Sequence, residues 1–138
     1  MTNKLNEISK SIILNASRET VWVFLTQKDK LGQWFHPAEN DLELGKAYKL
    51  LRADGEKICW GEVTEMQAPS RLAYTFSIKP LNGAMTNVVW VLEEIAGGTK
   101  LTLTHDGIEK AARDAALGLL TALDSGWDEH LKKLRNAD

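Results

Sequence analysis

"SGWDEHLKKL", residues Ser125 to Leu134, decides how the rest of this chain is read. The pattern is helical, yet it sets Gly126 inside the helix beside Trp127. A glycine in a helix interior costs about 1 kcal/mol relative to alanine. Working outward, Ala116, Leu120, Leu123, Trp127, Leu131 and Leu134 recur at spacings of four and three, an apolar stripe on a helix expected from Lys110 to Arg135. Asp114, Asp124, Asp128 and Lys132 take its remaining surface. At ~1.5 Å per residue, a helix of roughly 25 residues spans close to 40 Å. A stripe of that length needs an apolar surface of matching length to lie on.

Strands supply that surface. Glu7 to Ala16 carries Ile8, Ile12, Leu14 and Ala16 at even spacing and reads as the first strand. "NASRE" then turns the chain, with Ser17 as helix N-cap before Val21, Phe24 and Leu25. A second short helix is expected over Asp29 to Trp34, closed by Pro37. From Leu42 to His105 the period becomes two. Tyr48, Leu50 and Arg52 share a face after Gly45, and "ADGE" at 53–56 is a hairpin signal. In "ICWGEVTEM" the apolar set slips from Ile58 and Trp60 to Val63, which places a bulge near Gly61 and leaves the face of Trp60 open. Leu72, Tyr74, Phe76 and Ile78 alternate cleanly, as do Val88, Trp90 and Leu92, and then Leu101, Leu103 and His105. "APSR", "KPLNGAM" and "AGG" are the intervening turns.

The order is strand, two short helices, about six strands and one long helix. It predicts an α+β fold in which an antiparallel sheet, wet on one face, covers the terminal helix with the other. A twisted sheet and a straight helix do not fill evenly. Gly126 is expected to let the helix approach a neighbouring element closely, while Trp127 fills the widening gap. The alternative is a local kink at Gly126.

Composition bounds the rest. A chain of 138 residues holds one domain, residues 1–138, with a real hydrophobic core. A formal net charge of -2 argues against a nucleic-acid footprint. No apolar run is long enough for a membrane span, and "MTNKLNEISKSII" lacks the apolar stretch of a secretory signal. A single cysteine, Cys59, makes no internal disulfide and fits a reducing, cytoplasmic setting.

Five segments then resemble one known group in order and kind. They are "IILNASRETVWVFLTQKDKLGQWF", "LELGKAYKL", "GEVTEMQAPSRLAYTF", "GGTKLTLTHDG" and "GWDEHLKKL", covering the chain from Ile8 to Leu134. The group is the START-like (SRPBCC), or helix-grip, superfamily of birch-pollen-allergen-like proteins and polyketide cyclases. Within it the segments look most like the homologues of the activator of heat-shock protein 90 ATPase. The resemblance implies a curved antiparallel sheet of about seven strands gripping the C-terminal helix, with an apolar cavity between them. It implies no universal catalytic residue and no cofactor, and fold alone leaves function open.

The inward positions name the expected cavity. From the sheet come Tyr48, Leu50, Trp60, Tyr74, Phe76, Val88, Trp90, Leu103 and His105, with Arg52 near the rim; from the helix come Leu120, Leu123 and Trp127. His105 is read first as a locally satisfied core residue and second as a polar group at the cavity end. His130, three residues after Trp127, is expected in solvent, with the edge of the stripe as the alternative, and His36 in a loop. The three histidines have no metal-site spacing. Glu62 and Glu65 are read as solvated strand residues and Cys59 as a small buried hydrophobe. No nucleophile elbow, phosphate loop or dinucleotide fingerprint is present.

Three functions compete. The first is a module binding a small hydrophobic or amphipathic ligand in the cavity. The second is a protein-interaction module with a chaperone partner in the stress response, for which an exposed apolar patch is expected around Val89 and Val91; these residues would equally serve a homodimer. The third is a cyclase- or dehydratase-type enzyme in which His105, Tyr74 or Arg52 polarises a carbonyl. The absence of a catalytic constellation favours the first.

Overall fold

The chain runs β1 (Ile8–Leu14), α1 (Arg18–Thr26), α2 (Lys28–Trp34), β2 (Ala47–Leu51), β3 (Lys57–Gln67), β4 (Arg71–Ile78), β5 (Thr86–Ile95), β6 (Gly98–Asp106) and α3 (Ala116–Ala137). A computed structural model describes residues 7–52, 54–78, 81, 84–108 and 116–137, with the side chains of 116, 117, 120 and 137 left aside. The expected helix start at Lys110 and the side chains of Asp114, Ala116 and Leu120 lie outside what is described. Among the described residues no helix is long and apolar enough to cross a membrane.

The strands form one curved, open antiparallel sheet in the order β1-β6-β5-β4-β3-β2. Successive hairpins link β2 to β6, and the first strand closes on the last, Ile8 opposite His105 and Leu14 opposite Thr99. α1 and α2 therefore carry the chain from one edge of the sheet to the other, and α3 returns along its apolar face. This is the helix-grip α+β architecture.

Local chemistry places each element. Ser17 Oγ accepts from Thr20 N at 3.2 Å and caps α1, satisfying one of its orphan donors. Asp41 Oδ1 accepts from Lys28 N at 2.8 Å at the start of α2. The sheet contributes Val63, Leu72, Tyr74, Phe76, Val88, Trp90, Leu92, Leu101 and Leu103 to the core, and α3 contributes Trp127, Leu131 and Leu134. Full burial of such a side chain is worth about 2 kcal/mol. Lys10 on β1 bridges Asp124 and Asp128 at 2.8 and 2.9 Å and ties the helix to the sheet edge.

Three expectations are corrected. The described residues form six strands rather than about seven. Beside β2, the segment around Ala38 makes only an isolated bridge to Leu50. Its partner bonds are Glu39 N to Lys49 O at 2.9 Å and Leu51 N to Pro37 O at 2.8 Å. Pro37 has no N–H, so a full ladder cannot grow there.

The irregularity in β3 lies further along than Gly61: the register to β4 shifts between Val63 and Glu65. Cys59, Gly61 and Val63 are therefore the buried set, and Trp60 stands on the opposite face, where Lys57 Nζ sits 4.4 Å over its ring. Gly61 has its own reason to lack a side chain. A Cβ there would lie 2.0 Å from Thr75 O, a carbonyl that accepts from Tyr48 Oη at 2.6 Å.

Gly126 reverses its expectation. A Cβ built on it meets nothing within 4 Å. Among the described residues no neighbouring element presses against the backbone at this point; the missing side chain leaves space.

Candidate functional site

That space is a cavity of about 150 Å³ lined by Phe35, His36, Cys59, Phe76, Ile78, Ala122, Leu123, Gly126, Trp127 and His130. Three elements and one loop build it. α3 supplies Leu123, Gly126, Trp127 and His130, one face at helical spacing. β3 and β4 supply Cys59, Phe76 and Ile78 from their inward positions. The turn that ends α2 supplies Phe35 and His36. Ala122 is exposed, and His36, Leu123, Gly126 and His130 are half-buried, so the cavity reaches the surface along this edge of the helix.

Trp127 is its floor. Its ring lies 5.2 Å from Phe35, 5.6 Å from Trp90 and 6.0 Å from Phe76, in tilted and edge-on arrangements that such rings prefer. Its indole Nε1 donates to His105 Nδ1 at 3.0 Å. An imidazole nitrogen that accepts carries no proton, so the proton of neutral His105 is on Nε2. Nε2 then donates to Thr86 Oγ1 at 2.7 Å, and Thr86 Oγ1 donates to Phe76 O at 2.7 Å. The chain of bonds is closed. His105 is wholly buried, and burial pushes its pKa down to about 4.

The second polar pair lies at the mouth. The rings of His36 and His130 are 5.1 Å apart, edge to face, and Phe35 stands 4.8 Å from the first and 4.7 Å from the second. Burial, then the neighbouring His130 and Lys133, lowers the His36 pKa to about 4. Burial also lowers that of His130. His130 Nδ1 is 3.3 Å from Trp34 O; a carbonyl only accepts, so Nδ1 carries the proton. Cys59 is a buried thiol raised to about 12 by its apolar surroundings, too high for a thiolate nucleophile at neutral pH. Among the described residues no three potential metal ligands gather anywhere.

Of the residues expected at the cavity, Phe76, Leu123 and Trp127 line it. Tyr74, Val88, Trp90, Leu103 and His105 are sealed in the core behind it; Trp90 Nε1 donates to Tyr74 Oη at 2.9 Å, which closes off both polar tips. Leu50, on β2, is buried in the core, and Tyr48 packs on Tyr74 at 5.0 Å. Trp60 is on the outer face. Arg52 is not at a rim: it is exposed and paired with Asp54 at 2.8 Å and Glu56 at 3.1 Å in its own hairpin. Leu120 falls outside the described side chains. The polar trio expected of an enzyme, His105, Tyr74 and Arg52, shares no common space.

The lining residues that sequence reasoning missed are Phe35, His36, Cys59, Ile78, Ala122, Gly126 and His130. His130 was expected in solvent and is half-buried because it sits one turn from Gly126 on the same helix face. That spacing was the available signal. Phe35 and His36 follow a helix end and carry no period.

An open antiparallel sheet gripping its C-terminal helix over a small aromatic-lined cavity defines a START-like protein. The chain belongs to the family described as "Activator of Hsp90 ATPase homolog 1-like protein", whose profile matches residues 15–137. No curated protein matches it. Solved structures do. Protein MLL2253 from Mesorhizobium loti is 20% identical with a TM-score of 0.79, covering 94% of each chain. The Aha1 dimer from Colwellia psychrerythraea is 21% identical with a TM-score of 0.76, covering 95% of this chain and 94% of that one. DynU16, from the dynemicin biosynthetic locus, is 22% identical with a TM-score of 0.77 over 95% of this chain and 46% of its own. At these identities the likeness is one of fold.

Proposed function

We propose that this protein binds a small, neutral, mainly apolar molecule in the cavity floored by Trp127. The observation that carries the reading is the space at Gly126, where a helix forgoes a side chain at a cost of about 1 kcal/mol and no atom of the described residues lies within 4 Å of a Cβ built there. A glycine set inside a helix against propensity, with no contact among the described residues that requires it, points to a use for the space. An apolar cavity of about 150 Å³ accommodates a molecule about as large as benzene, so the expected guest is a single ring or a short branched chain.

The test is a native mass-spectrometry and thermal-shift screen of single-ring compounds against wild type and Gly126→Leu. Binding by wild type and its loss in the variant support the reading. Silence from every compound, or undiminished binding by Gly126→Leu, refutes it.

A second reading, self-association, draws support from the Colwellia protein, which is a dimer. Val89 and Val91, expected at that surface, are half-buried on the outer face, opposite Thr104 and Thr102. Light scattering of wild type and Val89→Lys would decide it. A chaperone partner rests on the family description alone, and a cytoplasmic setting on the lone buried thiol.

A further inference from the structure

The geometry points to a ligand class for the cavity: a single aromatic ring carrying one neutral hydrogen-bond donor, a phenol or an arylamine, whose donor is accepted by His130 Nε2. This inference rests on the binding reading above and narrows it.

The shape comes first. Phe35, Phe76 and Trp127 present three aromatic rings to one small space, bordered at its mouth by the His36 and His130 rings. Aromatic walls favour a flat guest that meets them edge-on or offset.

The charge follows. No carboxylate, lysine or arginine is among the lining residues, Cys59 holds its proton, and both mouth histidines are held neutral at pH 7. A carboxylate or ammonium entering this space would lose its hydration with no countercharge among the described lining residues. Lys133 and Glu129 act on the mouth histidines from outside that lining.

The polar contact comes last. His130 gives its Nδ1 proton to Trp34 O, which leaves Nε2 of the neutral ring as a bare acceptor. Nε2 has no hydrogen-bond partner among the described residues. His105, the other imidazole near Trp127, has both nitrogens engaged. His36 lines the mouth as well, but no hydrogen bond among the described residues fixes which of its nitrogens carries the proton, whereas the Trp34 carbonyl fixes that of His130. His130 Nε2 is thus the acceptor of defined position, and a site built around an acceptor discriminates for molecules that bring a donor.

Phenol and toluene, nearly equal in size, are the probes. Their affinities are to be measured by titration calorimetry at pH 7 for wild type, His130→Phe and His36→Phe. Wild type is expected to prefer phenol, and His130→Phe, which keeps the ring and loses the acceptor, to reduce the phenol-to-toluene ratio about fivefold. Toluene binding should change little. Independently of any variant, the 15N resonance of His130 Nε2 should move on addition of phenol and stay still with toluene.

Equal affinity of wild type for both probes would leave the cavity a binding site and overturn the donor assignment. So would a lost preference in His36→Phe with none lost in His130→Phe, or an Nε2 resonance indifferent to phenol. Failure of both probes to bind would remove the cavity reading and this assignment together.

Discussion

Trp127 on α3 donates its indole N–H to His105 Nδ1 on β6 at 3.0 Å, so the helix is fastened to the sheet at its largest side chain by a directed bond as well as by packing. The bond has a consequence in each direction. It sets the tautomer of His105, and it fixes the orientation of the ring that floors the cavity.

Trp127→Phe removes the donor and leaves a buried imidazole nitrogen unpaired. An unsatisfied buried polar group costs about 1–3 kcal/mol, and lost ring area adds to that. Thr86→Val acts on the other nitrogen, because His105 Nε2 then has no acceptor. Urea denaturation should show both variants destabilised, with the double variant less than additive. Additivity would mean that the two bonds do not act through one histidine.

Stability should fall as pH drops from 6.5 towards 4. His105 and His36 both have folded-state pKa values lowered to about 4, and His130 is lowered as well. Between those limits the unfolded chain binds protons that the folded chain refuses, so the unfolding free energy rises with pH and is fully present only above about 6.5. The groups packed on His105, namely Thr86, Phe76 and Trp127, do not titrate in that window. The mouth pair also feels Lys133 and, on the His130 side, Glu129. Thermal melts across pH 4–7 measure the slope, and His105→Gln should flatten part of it. A level profile in the wild type would refute buried neutral histidines.

Gly126→Ala should stabilise the protein by about 1 kcal/mol, since a helix propensity penalty disappears and the new Cβ meets no atom of the described residues within 4 Å. Chemical denaturation gives the sign directly. A destabilised variant would mean that a neighbour does close on α3 at that point.

Gly61→Ala should behave in the opposite way. Its Cβ would stand 2.0 Å from Thr75 O, and that oxygen is held by Tyr48 Oη, so neither strand can yield without breaking the bond. A loss of at least about 4 kcal/mol is expected, visible as a collapsed urea midpoint or insoluble expression.

Trp60→Ala separates the two faces of β3. Because Trp60 is half-buried and faces outward under Lys57, its removal should cost about 1 kcal/mol and leave cavity binding intact. Trp90→Ala, in the core, should cost about 3–5 kcal/mol. A loss of binding in Trp60→Ala would return that residue to the cavity.

The course of the fold was written in periods that local residues carry. Alternation in β4, β5 and β6 named Tyr74, Phe76, Val88, Trp90, Leu101 and Leu103 as inward. The four-three spacing of Leu123, Trp127, Leu131 and Leu134 named the face of α3, and Ser17 announced the start of α1. These features depend only on each residue's neighbours in the chain, because a strand has period two and a helix 3.6. The count of about seven strands came from the period-two stretch as well as from the family likeness; six form, and the segment at Ala38 makes one bridge to Leu50.

Contacts between elements decided the site. Whether Trp60 or Cys59 faced inward depended on where β3 slips against β4, and one residue of slip exchanges the faces. His130, Phe35 and His36 meet only because α2 ends beside α3, a contact between positions almost a hundred residues apart along the chain. Gly126 shows the division most plainly. Its cost to the helix was legible from composition, but a missing side chain reads the same whether a neighbour crowds it or nothing is there. Only the packing of α3 across the curved sheet distinguishes a close approach from a void, because an empty volume belongs to no residue and leaves no pattern in a sequence.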